Sequence, residues 1–331
     1  MLSKVCEALK RAKTVAIYIH INVDCDAMGS ALALQESLEQ LGIIADVFVH
    51  SNFPNNFSFY GDALKNVNKK TVSNYELAVC LDAPNEQRLG KFRYTYRKNV
   101  KNTILIDHHI LANEKYCRLN YIKESSSTAE ILFEVLTKLD IKFTQSICKN
   151  LLSGILTDTG RFSYSIYENT FLVASQLLKI GKIKMEEVVL PLFNSMTYGV
   201  FQMVKKAHEN IEFYSNNKLA LIMFSRGDFV ETGTTLDDLD DLPNVGLKLK
   251  DVQFVILASE DDKGYFRVSF RSKGNLSAKD VAAVFGGNGH LNASGCKIFG
   301  EFDEVKQKLI DSTLQTFGWN KWQKILDLLI S

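Results

Sequence analysis

At 331 residues, 46% hydrophobic and 23% charged, the chain is long enough for two globular domains, each with its own core. Lys and Arg total 39 against 38 Asp and Glu, and a formal charge of +1 excludes a protein that holds nucleic acid by bulk positive charge, so an anionic partner must be met by a local site. No apolar run reaches the roughly 18–20 residues of a membrane span, the first residues show no cleavable signal, and six cysteines without a C-x-x-C pair read as reduced packing residues of a cytoplasmic protein.

Thr14–His20 is a near-continuous apolar run and predicts a strand buried on both faces. The spacing of Ala31, Leu32, Leu34, Leu38 and Leu41 predicts a helix over Gly29–Leu41, with Gly42 at the stop. Strands are expected at Ile44–Val49, Leu77–Leu81 and Thr103–Asp107, and the alternation favours a parallel sheet covered on both sides. Helical patterns then run over Ser127–Leu139, Ser146–Asp158, Thr170–Ile180, Met185–Phe193 and Tyr198–Glu209, the last crossing between domains. A second α/β region starts near residue 211, with strands at Asn217–Phe224, Asp251–Leu257 and Gly264–Arg271 and a helix from about Ser277. Glycines at 286–289 and a C-terminal amphipathic region complete it; Phe317, Trp319 and Trp322 there pack either on their own core or on a second copy, which leaves a homodimer open.

Three apolar runs end in His20, Asp82 and Asp107, and ligands of open α/β sheets bind outside the carboxyl ends of the strands. His20, Asp24 and Asp26 lie within seven residues; two carboxylates side by side are costly to bury unless a cation, a helix N-terminus or an Arg neutralises them. Helix capping accounts for one aspartate but not for His20 and the second. With Asp107, His108, His109 and Asp158 they form a set of imidazoles and carboxylates without thiolates, which suits Mn²⁺, or less specifically Mg²⁺ or Fe²⁺. The carboxylates suffice for two ions sharing a bridge, an arrangement fitted to phosphoester hydrolysis. In the C-terminal region Arg271 offers a guanidinium fork, and Gly287 and Gly289 let backbone approach a phosphate beside His290; taken alone, these features equally describe a strand end and a turn. Ser125–Thr128 reads as a helix start.

Together these segments resemble the DHH phosphoesterase family. The likeness rests on His20-x-Asn22-x-Asp24-x-Asp26-Ala27-x-Gly29-Ser30, then Asp82, then Asp107-His108-His109, then Asp158 before Thr159-Gly160-Arg161-Phe162. The cluster ending in His290 is similar to the signature of the DHH-associated C-terminal domain, and size and motif set look most like the nanoRNase / pAp phosphatase subgroup. Val23 stands where the first motif usually has proline, and Asn288 interrupts the glycine run.

The resemblance implies an N-terminal parallel-sheet DHH domain with helices on both faces (residues 1–190), a helical linker (191–210) and a smaller α/β C-terminal domain across a cleft (211–331). It implies one Mn²⁺ on His20, Asp24 and Asp82 and another on Asp26, Asp82, His108 and Asp158. Asp107 would orient a ligand, His109 would face the scissile phosphate, and Arg271, Gly287, Gly289 and His290 would hold a substrate phosphate. The expected activity is Mn²⁺-dependent hydrolysis of RNA of two to five nucleotides, including pApA, or of pAp, to nucleoside monophosphates. The alternatives are a cyclic di-AMP phosphodiesterase and a catalytically silent nucleotide-binding module.

Overall fold

β-Branched and aliphatic runs too short for helices become strands when both their faces can be buried. That is the fate of the apolar runs in the first of two compact units, Met1–Ser195 and Met196–Ser331. The computed structural model describes residues 1–49, 53, 55–67, 75–94, 96, 102–109, 116–163, 167–239, 242–289 and 291–319. The first unit begins with helix α1 (Leu2–Arg11), strand β1 (Thr14–Ile19), helix α2 (Cys25–Gln40) and strand β2 (Ile44–Phe48). A 3-10 segment (Asn55–Asn66), β3 (Leu77–Leu81), a second 3-10 segment (Glu86–Tyr94), β4 (Asn102–Asp107) and β5 (Leu119–Ile122) follow. Four helices close the unit: α3 (Thr128–Lys138), α4 (Gln145–Asp158), α5 (Glu168–Gly181) and α6 (Glu186–Phe193).

All five strands run parallel in the order β2-β1-β3-β4-β5. Their period of two splits the unit's core. Val15, Ile17 and Ile19 face the layer built from α1–α4, whereas Ala16 and Tyr18 face the opposite layer. There Tyr18 stacks on Phe48 at 5.2 Å and meets Phe92 of the second 3-10 segment at 5.4 Å. Ile19 pairs with Leu81 and Leu81 with Ile106, so the next residues of three strands, His20, Asp82 and Asp107, emerge side by side at the carboxyl edge.

Helix α2 starts four residues before the expected Gly29. Asp24 caps it, its Oδ1 accepting from the Ala27 amide at 2.9 Å, which draws Cys25–Met28 into the first turn. Helices α2 and α4 cross closely because Gly29 has no side chain: a Cβ there would lie 2.2 Å from the Asn150 carbonyl oxygen. Helix α1 and the edge strand β5 were not expected from the sequence; β5 is short and only half-buried, so its apolar signal is weak.

The second unit contains α7 (Tyr198–Asn210), β6 (Glu212–Tyr214), β7 (Leu219–Phe224), α8 (Arg226–Thr232), α9 (Pro243–Leu247), β8 (Phe254–Glu260) and β9 (Tyr265–Ser272). It ends with α10 (Ala278–Val284), β10 (Asn288–Gly289), β11 (Ala293–Phe299) and α11 (Phe302–Phe317). Helix α7, expected to cross between domains, lies within this unit. The sheet order is β10-β11-β9-β8-β7-β6, antiparallel except for β7 beside β8. Helices α10 and α11 pack on one face and α7 and α8 on the other. Phe317 and Trp319 pack on this unit's own core; Trp322 lies outside the described residues. All six cysteines are free and buried. Among the described residues, no helix is long and apolar enough to cross a membrane.

Candidate metal centre

Five stretches of chain deliver side chains to the carboxyl edge of the first sheet. His20 follows β1 and is 2% exposed; its Nε2 lies 3.1 Å from Asp24 Oδ2 and 3.3 Å from Asp82 Oδ2. Its Nδ1 lies 2.6 Å from the Ile21 carbonyl oxygen, which fixes the ring. Asp82 follows β3 in a left-handed conformation (φ 53°) that non-glycine residues rarely adopt outside constrained sites. From β4 come Asp107, His108 and His109. His108 Nε2 approaches Asp158 Oδ2 at 3.2 Å and Asp82 Oδ1 at 3.5 Å, while its Nδ1 lies 3.3 Å from the Ser125 carbonyl oxygen. Asp158 closes the cluster from the last residue of α4.

Asp26, fully buried in the first turn of α2, accepts from the backbone amides of Thr128 at 2.7 Å and Ala129 at 2.9 Å. These are unsatisfied donors of the α3 N-terminus, and the helix dipole favours the carboxylate there. Thr128 Oγ1 also donates to Asp82 Oδ1 at 3.1 Å. Ser127 caps α3 through the Glu130 amide, as the sequence suggests. The same turn also holds Asp26, Asp82 and His108, a role that a capping pattern does not reveal because the partners are 17 to 103 residues away.

The adjacent histidines converge: their ring centroids are 4.3 Å apart, and His108 Nε2 and His109 Nδ1 each lie 3.5 Å from Asp82 Oδ1. His109 Nδ1 lies 2.8 Å from Asp107 Oδ1, which also accepts the His109 amide at 2.7 Å. Asp107 therefore orients His109, the substrate-facing candidate, and not one of the expected ligands.

Burial and mutual charge shift these groups strongly. Burial works against the charge on His20, yet Asp24 and Asp82 raise it well above the usual imidazole range. His108 follows the same pattern: burial lowers it, but Asp158, Asp26 and Asp82 carry it up to about 10. Burial raises Asp82, but the contact with His20 and the charges of His108 and His109 more than offset this and hold its carboxyl well below the carboxylate range. Asp26 is raised by burial and by Asp158 and Asp82. Burial lifts Asp158 to about 6 despite His108. Protons thus do the neutralising that a cation would otherwise do.

The donors fit such a cation. They form three groups, His20 with Asp24 and Asp82, Asp26 with His108 and Asp158, and Asp82 with His108 and His109, each with its ligand atoms within 4.8 Å of one another. Asp82 is shared between two of them. His108 Nε2 is buried and faces Asp158 and Asp82 without a well-formed hydrogen bond to either, so a cation that replaced the proton there would meet a ready nitrogen. Imidazole and carboxylate without thiolate is a donor set for Mn²⁺-like ions.

In the second unit, Arg271 on β9 pairs in register with Ala293, and Gly289 on β10 with Ser294, so both lie at one end of that sheet. Arg271 Nη1 donates to the Phe270 carbonyl at 3.1 Å. A Cβ on Gly287 would lie 2.3 Å from the Gly295 carbonyl oxygen, and one on Gly289 would lie 2.5 Å from Ser294 Cα, so close packing of β10 on β11 requires both glycines. His290 lies outside the described residues.

Comparison with known proteins agrees with this layout. Residues 14–156 match the DHH family, N-terminal domain, and residues 218–317 match the DHHA1 domain. The chain is 28% identical over 315 residues to the probable bifunctional oligoribonuclease and PAP phosphatase NrnA of Streptococcus mutans, covering 91% of this chain and 95% of that one. It is 27% identical over 325 residues to the bifunctional oligoribonuclease and PAP phosphatase NrnA of Bacillus subtilis, covering 94% and 97%. The crystal structure of an exopolyphosphatase-related protein from Bacteroides fragilis superposes with a TM-score of 0.88 at 25% identity, over 96% of both chains. RecJ from Thermus thermophilus, solved in complex with Mn²⁺, shares the fold with a TM-score of 0.56 at 14% identity, over 97% of this chain and 54% of that one.

Proposed function

The chain belongs to the DHH phosphoesterase family, and from that premise we propose that it is a Mn²⁺-dependent hydrolase that cleaves very short RNA, pApA included, and pAp to nucleoside monophosphates. The observation that carries the reading is the convergence of His20, Asp24, Asp26, Asp82, His108 and Asp158 into adjoining donor groups, linked through Asp82 and His108. One ion would be held by His20, Asp24 and Asp82, the other by Asp26, His108 and Asp158, with Asp82, 3.5 Å from His108, proposed to serve both. When bound, such a pair supplies Lewis-acid activation of water and offsets charge developing on the phosphoryl group.

The chain's own residues set the stage for that chemistry. The α3 N-terminus and Thr128 fix the Asp26 and Asp82 carboxylates before any ligand arrives, so little reorganisation is needed on binding. Asp107 fixes the His109 ring through Nδ1, which leaves Nε2 as the atom that holds a proton for the leaving oxygen. Arg271, Gly287, Gly289 and His290 are the second unit's candidates for a substrate phosphate; a guanidinium suits that group, whereas the Gly287 amide already donates to the Ala282 carbonyl at 2.8 Å and the Gly289 amide to Asn288 Oδ1 at 2.8 Å. The near-neutral chain favours a substrate with few phosphates.

The test is a substrate panel with Mn²⁺: pAp, pApA, RNA of two to five nucleotides, cyclic di-AMP and pyrophosphate. Turnover of pApA, short RNA and pAp, suppressed by EDTA, is expected. Preferential turnover of cyclic di-AMP would move the reading to a cyclic-dinucleotide phosphodiesterase. Mn²⁺ binding without turnover of any of the five would leave a silent nucleotide-binding module.

A further inference from the structure

Arg88 lies on the second 3-10 segment, six residues beyond Asp82, and belongs to none of the donor groups described above. Its amide donates to the Asn85 side chain at 3.1 Å, and its carbonyl accepts from the Ile21 amide at 2.7 Å, so this turn is tied to the residue following His20. Its Nη2 lies 3.2 Å from His20 Nδ1. That nitrogen already has an acceptor, the Ile21 carbonyl at 2.6 Å, and the ring's other nitrogen faces Asp24 and Asp82. An imidazole that ligates a cation through Nε2 carries its hydrogen on Nδ1, so it offers the guanidinium no lone pair. Arg88 makes no ion pair with any described carboxylate, although five aspartates gather in this unit's cluster.

A guanidinium beside a cation site has a cost, because like charges repel and the cation binds less well. The arrangement becomes favourable once an anion sits between them, and a phosphate presents oxygens that match the guanidinium fork. Arg88 is half-buried whereas His20 is almost wholly buried, so the guanidinium can be reached from outside the cluster. We propose that Arg88 is a substrate-contacting residue of the first unit, which takes a phosphoryl oxygen of the nucleotide beside His20. This rests on the phosphoesterase reading, and it adds a phosphate contact on the metal-bearing unit to the candidates on the other.

The test compares the full-length wild type with Arg88→Ala and Arg88→Lys, using three measurements. These are kcat and KM on pApA with Mn²⁺, calorimetric binding of adenosine 5'-monophosphate to the Mn²⁺-loaded protein, and the Mn²⁺ concentration at half-maximal rise in Tm. For Arg88→Ala, kcat/KM is expected to fall about 10- to 100-fold, the loss typical of a hydrogen bond to a charged group. The nucleotide should bind correspondingly more weakly, and the Mn²⁺ midpoint should stay the same or drop, since a nearby positive charge is gone. Arg88→Lys should recover part of both losses. Unchanged kcat/KM and nucleotide binding would overturn the assignment. So would a Mn²⁺ midpoint that rises in step with lost activity, because Arg88 would then act by holding His20. A wild type that turns over no substrate, yet binds the nucleotide through Arg88, would refute the hydrolase reading alone. A wild type that does neither would refute both.

Discussion

Asp82 combines three demands on one residue: it is buried, it takes a left-handed backbone and it is shared between two donor groups. Asparagine tolerates that backbone as aspartate does, whereas alanine is poorly suited to it. Asp82→Asn therefore removes the charge without straining the turn. Its kcat/KM on pApA should fall more than about 100-fold, beyond the loss usual for groups that merely support a ligand, and Tm in EDTA should drop because His20 and His108 lose a buried counter-charge. Asp82→Ala should lose as much activity and unfold at a still lower temperature. Wild-type rates for Asp82→Asn in Mn²⁺ would refute the shared-ligand scheme. At this scale the sequence is most legible, because the side chains that converge follow the ends of apolar runs: His20, Asp82 and Asp107 stand one residue beyond or at the end of β1, β3 and β4. The partner of Asp107 was not legible, since the spacing of Asp107-His108-His109 does not say which imidazole the carboxylate holds.

At the scale of elements, two glycines that look alike in a helical pattern do different work. At Gly29 an added Cβ meets the Asn150 backbone carbonyl at 2.2 Å, which cannot move without shifting α4. At Gly154 it meets the Asp26 carboxylate at 2.6 Å and Ala129 Cβ at 2.8 Å. Gly29→Ala should therefore lower stability by about 1–3 kcal/mol through overpacking, read as a drop in Tm with and without Mn²⁺. Gly154→Ala should displace Asp26 from the α3 N-terminus, so the clearer loss is of the Mn²⁺-induced rise in Tm. A Gly154→Ala protein with a wild-type Mn²⁺ response would show that Asp26 is not held by this contact. Neither role could be read from the sequence, where both residues sit in apolar helix patterns and the contacts of Gly29 with Asn150 and of Gly154 with Asp26 span more than a hundred positions. The start of α2 was missed for a related reason: Asp24 acts as a cap and stands among candidate ligands, so Cys25–Met28 reads equally as a turn. The strands of the parallel sheet were legible from runs buried on both faces, whereas β5, half-buried throughout, gave no such signal.

At the scale of the whole molecule, the cluster links folding, protons and metal. Burial disfavours the charged His108, but Asp158, Asp26 and Asp82 raise it from 6.5 to about 10. Its contribution to the metal-free fold is complete below the unfolded value and is lost as pH rises through about 10. Burial raises Asp158 from 3.8 to about 6, so the folded chain keeps a proton there that the unfolded chain has released. Rising pH therefore also lowers stability across that window. Both signs agree: without metal, the first unit weakens as pH increases. A cation needs these ligands deprotonated, so its binding displaces protons and strengthens in the same direction. The gap in Tm between Mn²⁺-loaded and EDTA-treated protein should accordingly widen from pH 6 to pH 8. Its driving force grows by about 1.4 kcal/mol per pH unit for each proton displaced. Asp26→Asn removes a raised carboxyl but keeps only one of the two oxygens that accept from the α3 amides, so its metal-free form should start less stable than wild type, lose less stability as pH rises, and respond less to Mn²⁺. Thermal melts at pH 6, 7 and 8 with and without Mn²⁺ measure both effects. A gap that stays constant across this range would mean that the cluster does not exchange protons for metal, and the acid-and-imidazole cage would lose its claim to be a cation site.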